Sequence, residues 1–331
     1  ACSSSLVALH TACHALKMGD CEQALVASAD LLLSPYSLRI REVCGMLSPE
    51  GIQRTFDKSA NGYVRGEGAG AIVIKPLAKA KRDIALAEAN GEKAPSIMAV
   101  IRSTAVNQNG KSATFTAPNG QAQRKLLQQS YAKANLSTND ISYFETHGTG
   151  TALGDPVEWG AIRDVLLRDK SNNGEASPLI IGAVKTNIGH LEGAAGMAGL
   201  IKAVMCLRNA KVPPNLHMQD MNPLMDGADC RDTADTKERQ AVFPGDEPLE
   251  FFEKLSSSSS SPSPLLPTLA SVSSFGSGGT NAHVVLQAPP LSLTTTTEKQ
   301  HMKTGSAATS TSTSDPREKV AYLLTGQGAT I

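Results

Sequence analysis

Ala1-Cys2-Ser3-Ser4-Ser5-Leu6-Val7-Ala8-Leu9-His10 sets the reading of the whole chain. A cysteine is followed by three serines and then by an amphipathic run that reaches about Lys17. Serines are favoured where a helix begins, because their hydroxyls accept bonds from its unpaired first N–H groups. The pattern therefore predicts Cys2 at or just before a helix N-terminus. Partial positive charge and free N–H groups at that place favour thiolate over thiol. A thiolate so placed is a candidate nucleophile with amide donors close by for a developing oxyanion. On this stretch alone the commoner role of cysteine, a small buried hydrophobe, carries more weight. The rest of the chain reverses that balance.

The 331 residues have room for one large domain or two ordinary ones. Lys+Arg and Asp+Glu each total 31, so the formal net charge is zero. Neutrality argues against broad electrostatic binding to nucleic acid or an anionic membrane. No apolar run approaches the roughly 18 residues of a membrane helix. The six cysteines contain no CxxC pair and no zinc spacing, which predicts reduced thiols and a cytoplasmic setting, with an organelle as the other option. The chain opens at Ala1 without a methionine and without a signal-peptide pattern, and the expectation is a fragment of a longer protein.

Strand and helix patterns alternate outward from Cys2. Ala24 to Ala29 has strand length, and residues 34–62 read as loop and short helix. Gly66-Glu67-Gly68-Ala69-Gly70 precedes a strand that runs to Pro76. A dinucleotide loop needs the opposite order, so close backbone packing is the expected reason for those glycines. Helical patterns cover residues 77–90, Gln121 to Ala134, a stretch from about Pro156, and Gly193 to Leu207. Strands are expected at Ile97 to Val106, Tyr143 to Glu145, Leu179 to Val184, Leu269 to Phe275 and Ala282 to Gln287. This alternation predicts an α/β domain with helices covering a mostly parallel sheet. Residues 226–268, with a serine run from Ser256 to Ser261, read as a low-complexity insertion or covering loop. Residues 289–318 read as a linker, and 319–331 as the start of another domain opened by the strand Val320 to Leu324.

His147, in His147-Gly148-Thr149-Gly150-Thr151, and His190, in Lys185-Thr186-Asn187-Ile188-Gly189-His190, are each expected where a strand ends. Ligand sites of open α/β sheets collect at that carboxyl edge. One cysteine and two histidines fit an acyl-transfer nucleophile with imidazole partners, or an incomplete metal site. The glycine-threonine setting of His147 offers no second ligand at metal spacing, so metal is the weaker option. His10, His14, His217, His283 and His301 are read as structural.

Six segments then converge on one family: ACSSSLVALH, FDKSANGYVRGEGAGAIVIKPL, VNQNGKSATFTAPNG, ETHGTGTALGDPVE, KTNIGHLEGAAGMAGLIK and SSFGSGGTNAHVVL. The chain resembles the β-ketoacyl synthase (ketosynthase) domain of type I polyketide and fatty acid synthases, and it does so over residues 1 to about 290. The run AGMAGLIK is closer to polyketide synthases, since fatty acid condensing enzymes usually carry glutamate where Gly199 stands. The resemblance implies a thiolase-like fold, layered αβαβα, with the N-terminal part of its first half missing. The ketosynthase portion would be residues 1–288. YLLTGQGAT resembles the opening of an acyltransferase domain.

The same resemblance implies roles. Cys2 would take the growing acyl chain as a thioester. His147 and His190 would drive decarboxylation of a malonyl thioester and stabilise its enolate, with Lys185 supporting that site. Thr149 and Thr151 would bond the phosphopantetheine arm of an acyl carrier protein, so that no cofactor resides in the domain. The backbone N–H groups of Cys2 and Ser277 would form the oxyanion hole, with Ser277 standing where bacterial fatty acid enzymes carry a gating phenylalanine. Implied partners are the acyl carrier protein, the adjacent acyltransferase domain and, when the domain is complete, a second copy in a homodimer. The competing readings are a thiolase or chalcone-synthase-like enzyme, against which the two-histidine pattern speaks, and a non-catalytic scaffold, which usually lacks the nucleophile.

Overall fold

The computed structural model describes residues 1–112, 114, 116–168, 177–225, 238–250 and 268–289, together with the backbone of 320–323. The serine run, His301, Cys230, nearly all of the expected linker and most of 319–331 lie outside the described residues.

The apolar period of the first stretch makes α1 (Ser4–Met18), which buries Leu6, Leu9, Cys13 and Leu16 on one face. There follow β1 (Ala24–Asp30), α2 (Pro35–Val43), β2 (Gly68–Pro76), α3 (Leu77–Ala89), β3 (Ala99–Gln108) and α4 (Gly120–Ala134). The second part holds β4 (Ile141–Glu145), α5 (Gly154–Ile162), β5 (Leu179–Gly182), α6 (Lys185–Ile188) and α7 (Ala195–Asn209). Short strands β6 (Lys211–Val212), β7 (Ala241–Val242) and β8 (Leu249–Glu250) precede the long hairpin of β9 (Leu269–Phe275) and β10 (Thr280–Gln287), and β11 (Val320–Leu323) comes last.

Nine strands form one sheet in the order β1-β2-β11-β3-β10-β9-β4-β5-β7. Among the described residues the pairs β9–β4, β4–β5 and β5–β7 are parallel, and the pairs from β1 to β9 are antiparallel. The expected mostly parallel sheet is thus corrected to a mixed one. The physical cause is connection length: the tight turn after Phe275 can only return the chain antiparallel, whereas β4 and β5 are joined through α5. Val320–Leu323, expected to open a separate domain, pairs antiparallel with both β2 and β3 in this same sheet, where it supplies both strands with ladder partners.

Side chains alternate across the sheet. Ala270, Val272, Ala282 and Val284 meet Leu6, Leu9, Met197 and Leu200 of α1 and α7. On the opposite face, Ile141, Phe144 and Val285 pack with Leu127, Tyr131 and Trp159 of α4 and α5. The insertion read across 226–268 is corrected at residues 238–250. There β7 extends the sheet beside β5, and Arg239 is buried with its guanidinium donating to the carbonyls of Ser177, Thr138 and Ile141. A polar composition was misleading because these polar groups satisfy orphan backbone acceptors rather than facing water.

The glycines around the start of β2 serve close packing, as expected. A Cβ on Gly66 would lie 2.4 Å from the Ile188 carbonyl oxygen, and one on Gly68 2.6 Å from Leu191. α1 and α7 also meet through a glycine. A Cβ on Gly196 would stand 2.6 Å from Leu6 Cγ and 2.9 Å from Ser5 Oγ, whereas one on Gly160 in α5 would meet nothing within 4 Å. Gly196→Ala is therefore expected to destabilise the fold by about 1–3 kcal/mol through overpacking. Gly160→Ala is expected to be neutral or stabilising by up to about 1 kcal/mol, as for any open helical glycine. Urea unfolding midpoints of the two variants check the contrast, and equal midpoints would contradict the close approach of α1 to α7.

Candidate active site

Cys2 sits two residues before α1, half-buried, as the sequence predicts. The serines behind it do something other than cap the helix. Ser3 occupies the cap position without a side-chain bond to the first turn. Ser5 Oγ instead accepts from the Met197 N–H at 2.9 Å, which fastens α1 to α7, and Ser274 Oγ donates to the Cys2 carbonyl at 2.8 Å. The cysteine loop is thereby fixed between α7 and the end of β9. The expectation of a resting thiolate is corrected. Burial pushes the Cys2 thiol up from its ordinary 9.0, and the opposing pull of the Lys185 charge and of the Ser277 backbone N–H is smaller. The site holds a thiol that these two groups help to ionise.

His147 and His190 are brought together, with ring centroids 5.5 Å apart and planes nearly perpendicular. His147 follows β4 directly, as expected. His190 is separated from β5 by the single turn of α6, so its motif reaches the site from a helix end rather than from the strand itself. The His147 ring also lies 5.5 Å from that of Phe275, two residues before Ser277, which closes the circle back to Cys2. His190 Nδ1 accepts a hydrogen bond of 3.0 Å from the Glu192 backbone N–H. Neutral imidazole carries one proton, so that proton lies on Nε2. Both rings are held well below their ordinary 6.5, first by burial and then by the Lys185 charge. They are neutral donors, not imidazolium ions.

The His147 loop owes its shape to carboxylates on α5. Glu158 accepts from the backbone N–H of His147 at 2.7 Å and of Gly148 at 2.9 Å. Asp155 accepts from Gly150 at 3.0 Å and from Phe56 at 2.9 Å. Gly148 and Gly150 take φ of +49° and +71°, and a Cβ at either would lie 2.7 Å from a neighbouring side chain, so glycine is required at both. Burial pushes Asp155 up to about 6 and Glu158 up to about 7, against the pull of these amides. Lys185, 2 % exposed, opens α6. Burial pushes its ammonium down, while the charges of Glu145, Cys2, Glu158 and Asp155 act in the opposite sense. Glu145 is itself fully buried, bonded to the Val184 N–H and the Tyr143 hydroxyl, with Lys202 Nζ at 3.0 Å.

The remaining expected residues fall in place around this core. Thr149 and Thr151 are half-buried with hydroxyls 3.1 Å apart, and Gln53 Nε2 holds the Thr149 carbonyl at 2.7 Å. Ser277 is exposed in the β9–β10 turn while its N–H faces the Cys2 sulfur. His10 bonds Thr104 Oγ1 at 2.7 Å, and His283 is buried against Ser273, Tyr131 and Phe144, so both are structural as read. Among the described residues no group of three or more His, Cys, Asp or Glu could hold a metal ion. Sequence reasoning passed over Glu145, Asp155, Glu158 and Glu192. The first three stand within ETHGTGTALGDPVE, where carboxylates beside a glycine loop and in the first turns of a helix are the available signal.

Comparison with known proteins agrees with this geometry. Residues 1–80 match the Beta-ketoacyl synthase, N-terminal domain, and residues 98–219 the Beta-ketoacyl synthase, C-terminal domain. The chain is 43 % identical over 287 residues to a phenolphthiocerol/phthiocerol polyketide synthase of Mycobacterium tuberculosis, covering 87 % of this chain and 14 % of that protein. It is likewise 43 % identical over 299 residues to tenellin synthetase of Beauveria bassiana, covering 87 % of this chain and 6 % of that protein. Among solved structures, the ketosynthase from module 6 of the bacillaene synthase of Bacillus subtilis superposes with a TM-score of 0.72 at 34 % identity, covering 88 % of this chain and 47 % of that one. An oxazolomycin ketosynthase domain from Streptomyces albus gives 0.72 at 35 % identity, covering 87 % and 45 %. The chain thus spans a small part of its curated relatives and a little under half of these ketosynthases. With the mixed sheet, the cysteine before α1 and the paired buried histidines all in the family's order, the chain belongs to the β-ketoacyl synthase family, in its thiolase-like polyketide ketosynthase branch.

Proposed function

We propose that this chain carries the site of a decarboxylative Claisen condensation in polyketide biosynthesis. The observation that supports it most is the pairing of two buried, neutral imidazoles beside a cysteine whose sulfur faces a backbone N–H. Cys2 loses its proton and its sulfur attacks an acyl thioester, releasing the carrier thiol and leaving acyl-Cys2. A malonyl-type thioester then takes the place of the first carrier. The His190 Nε2–H, with His147 beside it, donates to the thioester oxygen as carbon dioxide departs and enolate charge grows there. The enolate carbon attacks the acyl-Cys2 carbonyl. The backbone N–H groups of Cys2 and Ser277 receive the tetrahedral oxyanion, which collapses to expel the Cys2 thiolate and leave a 3-oxoacyl thioester. Neutrality of the histidines matters because a weakly acidic N–H donor stabilises the enolate by hydrogen bonding without handing it a proton before it attacks. Lys185 supports the site by holding both rings neutral and by easing ionisation of Cys2.

The substrates in this reading arrive on the phosphopantetheine arm of an acyl carrier protein, which Thr149 and Thr151 bond, and no resident cofactor is required. An adjacent acyltransferase domain is the proposed source of the malonyl-type unit. A second copy of the chain is the proposed partner of β1. That strand ends the sheet, and Leu31, Leu33, Tyr36 and Val43, just beyond it, are between 58 % and 84 % exposed. No helix among the described residues is long and apolar enough to cross a membrane. Cys2, Cys21, Cys44 and Cys206 are free thiols, which supports a reducing, cytoplasmic setting.

Intact mass of the full domain that contains this chain, after incubation with an acyl thioester, tests the nucleophile, with one acyl group expected on it and none on its Cys2→Ala variant. Loading that survives Cys2→Ala would end the nucleophile assignment, and no loading of the unaltered domain would leave a scaffold role. His147→Ala and His190→Ala are expected to load normally and to lose malonyl decarboxylation by on the order of 100-fold or more, the usual cost of one oxyanion donor. Alkylation of Cys2 by iodoacetamide is expected to rise with pH to a midpoint above the ordinary 9.0, since the thiolate is the reactive form and its pKa is raised. Lys185→Met removes a charge that lowers that pKa, so the midpoint moves higher still. A midpoint unmoved by Lys185→Met would show that its charge does not reach the sulfur.

A further inference from the structure

A half-buried charge cluster lies outside the reacting groups and adjoins both the backbone and the ring of His190. Glu192 is a non-glycine residue at φ +35°, a left-handed conformation that costs free energy unless its surroundings enforce it. Its side chain supplies that enforcement. Arg41 of α2 grips both carboxylate oxygens, with Nε and one terminal nitrogen each at 2.5 Å. Arg65 Nε stands 3.3 Å from Oε1, and the Tyr63 hydroxyl donates to the same oxygen at 3.0 Å. Arg65 in turn donates to Asp30 Oδ1 at 2.8 Å, and Asp30 Oδ2 accepts from the Gly193 N–H at 3.1 Å. The side chains of Arg65, Glu192 and Arg41 are 5 %, 13 % and 28 % exposed, so these bonds are partly shielded from water.

The cluster brackets the histidine. His190 N–H donates to the Val64 carbonyl at 2.7 Å, and Gly66 N–H donates to the His190 carbonyl at 3.0 Å, so the same segment that carries Tyr63 and Arg65 also holds the His190 backbone. The Tyr63 ring lies 4.9 Å from the His190 ring at a steep angle. What remains to be fixed is the ring's proton, and the Glu192 N–H fixes it by bonding to Nδ1 at 3.0 Å. We propose that Glu192 is a positioning residue. Gripped by Arg41, Arg65 and Tyr63, its carboxylate holds the strained turn whose N–H keeps His190 in the Nε2–H tautomer that condensation requires. This rests on the condensation reading above for its consequence, though not for the tautomer itself. The anchors come from α2, the end of β1 and the segment of residues 63–65 that leads into β2, so the proton position in the site is set from the rim of the sheet.

The test is the tautomer of His190, read from long-range 15N–1H correlations of histidine-labelled protein and assigned by loss of its signals in His190→Gln. Wild type is expected to show a single Nε2–H form. Glu192→Ala is expected to show a mixture of the two tautomers, with malonyl decarboxylation lowered about tenfold to 100-fold and acyl loading of Cys2 within about twofold. Arg41→Ala leaves Glu192 in place and removes its bidentate grip. It is expected to move both readouts in the same direction by less, and so serves if Glu192→Ala does not fold. An unchanged single tautomer in the folded variants overturns the proposal. Mixed tautomers in Glu192→Ala, in a protein whose wild type decarboxylates nothing, uphold the positioning role and remove the condensation reading instead.

Discussion

Charge buried at the carboxyl end of the parallel strands is the constraint on which the site depends. Lys185 is withdrawn from water together with Glu145, Asp155 and Glu158, and none of the four is stable there alone. Each carboxylate holds backbone N–H groups of the loops that carry chemistry. Glu158 shapes the turn at His147, Asp155 ties Gly150 to Phe56, and Glu145 joins Val184 to Lys202 of α7. Removing any one would leave a buried charge or an orphan amide, so the loops and the lysine are specified together.

That arrangement turns the field of one ammonium to two uses. Beside Cys2 it favours the anion, and beside His147 and His190 it disfavours the cation. Burial decides the net result in both cases, because desolvation outweighs the lysine for the thiol and reinforces it for the imidazoles. A protonated thiol and two neutral imidazoles, each within the field of Lys185, are the consequence. In the proposed condensation, such a resting state would keep the nucleophile from indiscriminate reaction and the donors ready for an enolate.

Much of this was legible in the chain. Gly66 and Gly68 precede a strand, which ruled out a phosphate loop, and their Cβ positions are indeed filled by Ile188 and Leu191. The order of Cys2, His147, Lys185 and His190 was readable because each stands in a compact motif. What escaped depended on three-dimensional competition. Ser3 looked like a helix cap, but α1 is fastened through Ser5 to Met197, a partner 192 residues away. The thiolate expected at a helix start was overruled by burial, which no local pattern reveals. Arg239 lay in a stretch whose polarity resembled a solvated loop, yet it closes three backbone carbonyls in the interior. Glu192 was invisible as a functional residue because it acts through its N–H, a group every non-proline residue has.

The charge state of the two histidines is the property on which the proposed condensation most directly turns. A pH titration of their ring 15N shifts between pH 5 and 8, assigned with His147→Gln and His190→Gln, measures it. Both rings are expected to stay neutral across the range, because burial and Lys185 hold them well below 6.5. Midpoints at or above 6.5 for either ring would place an imidazolium in the site and contradict a condensation supported by neutral donors.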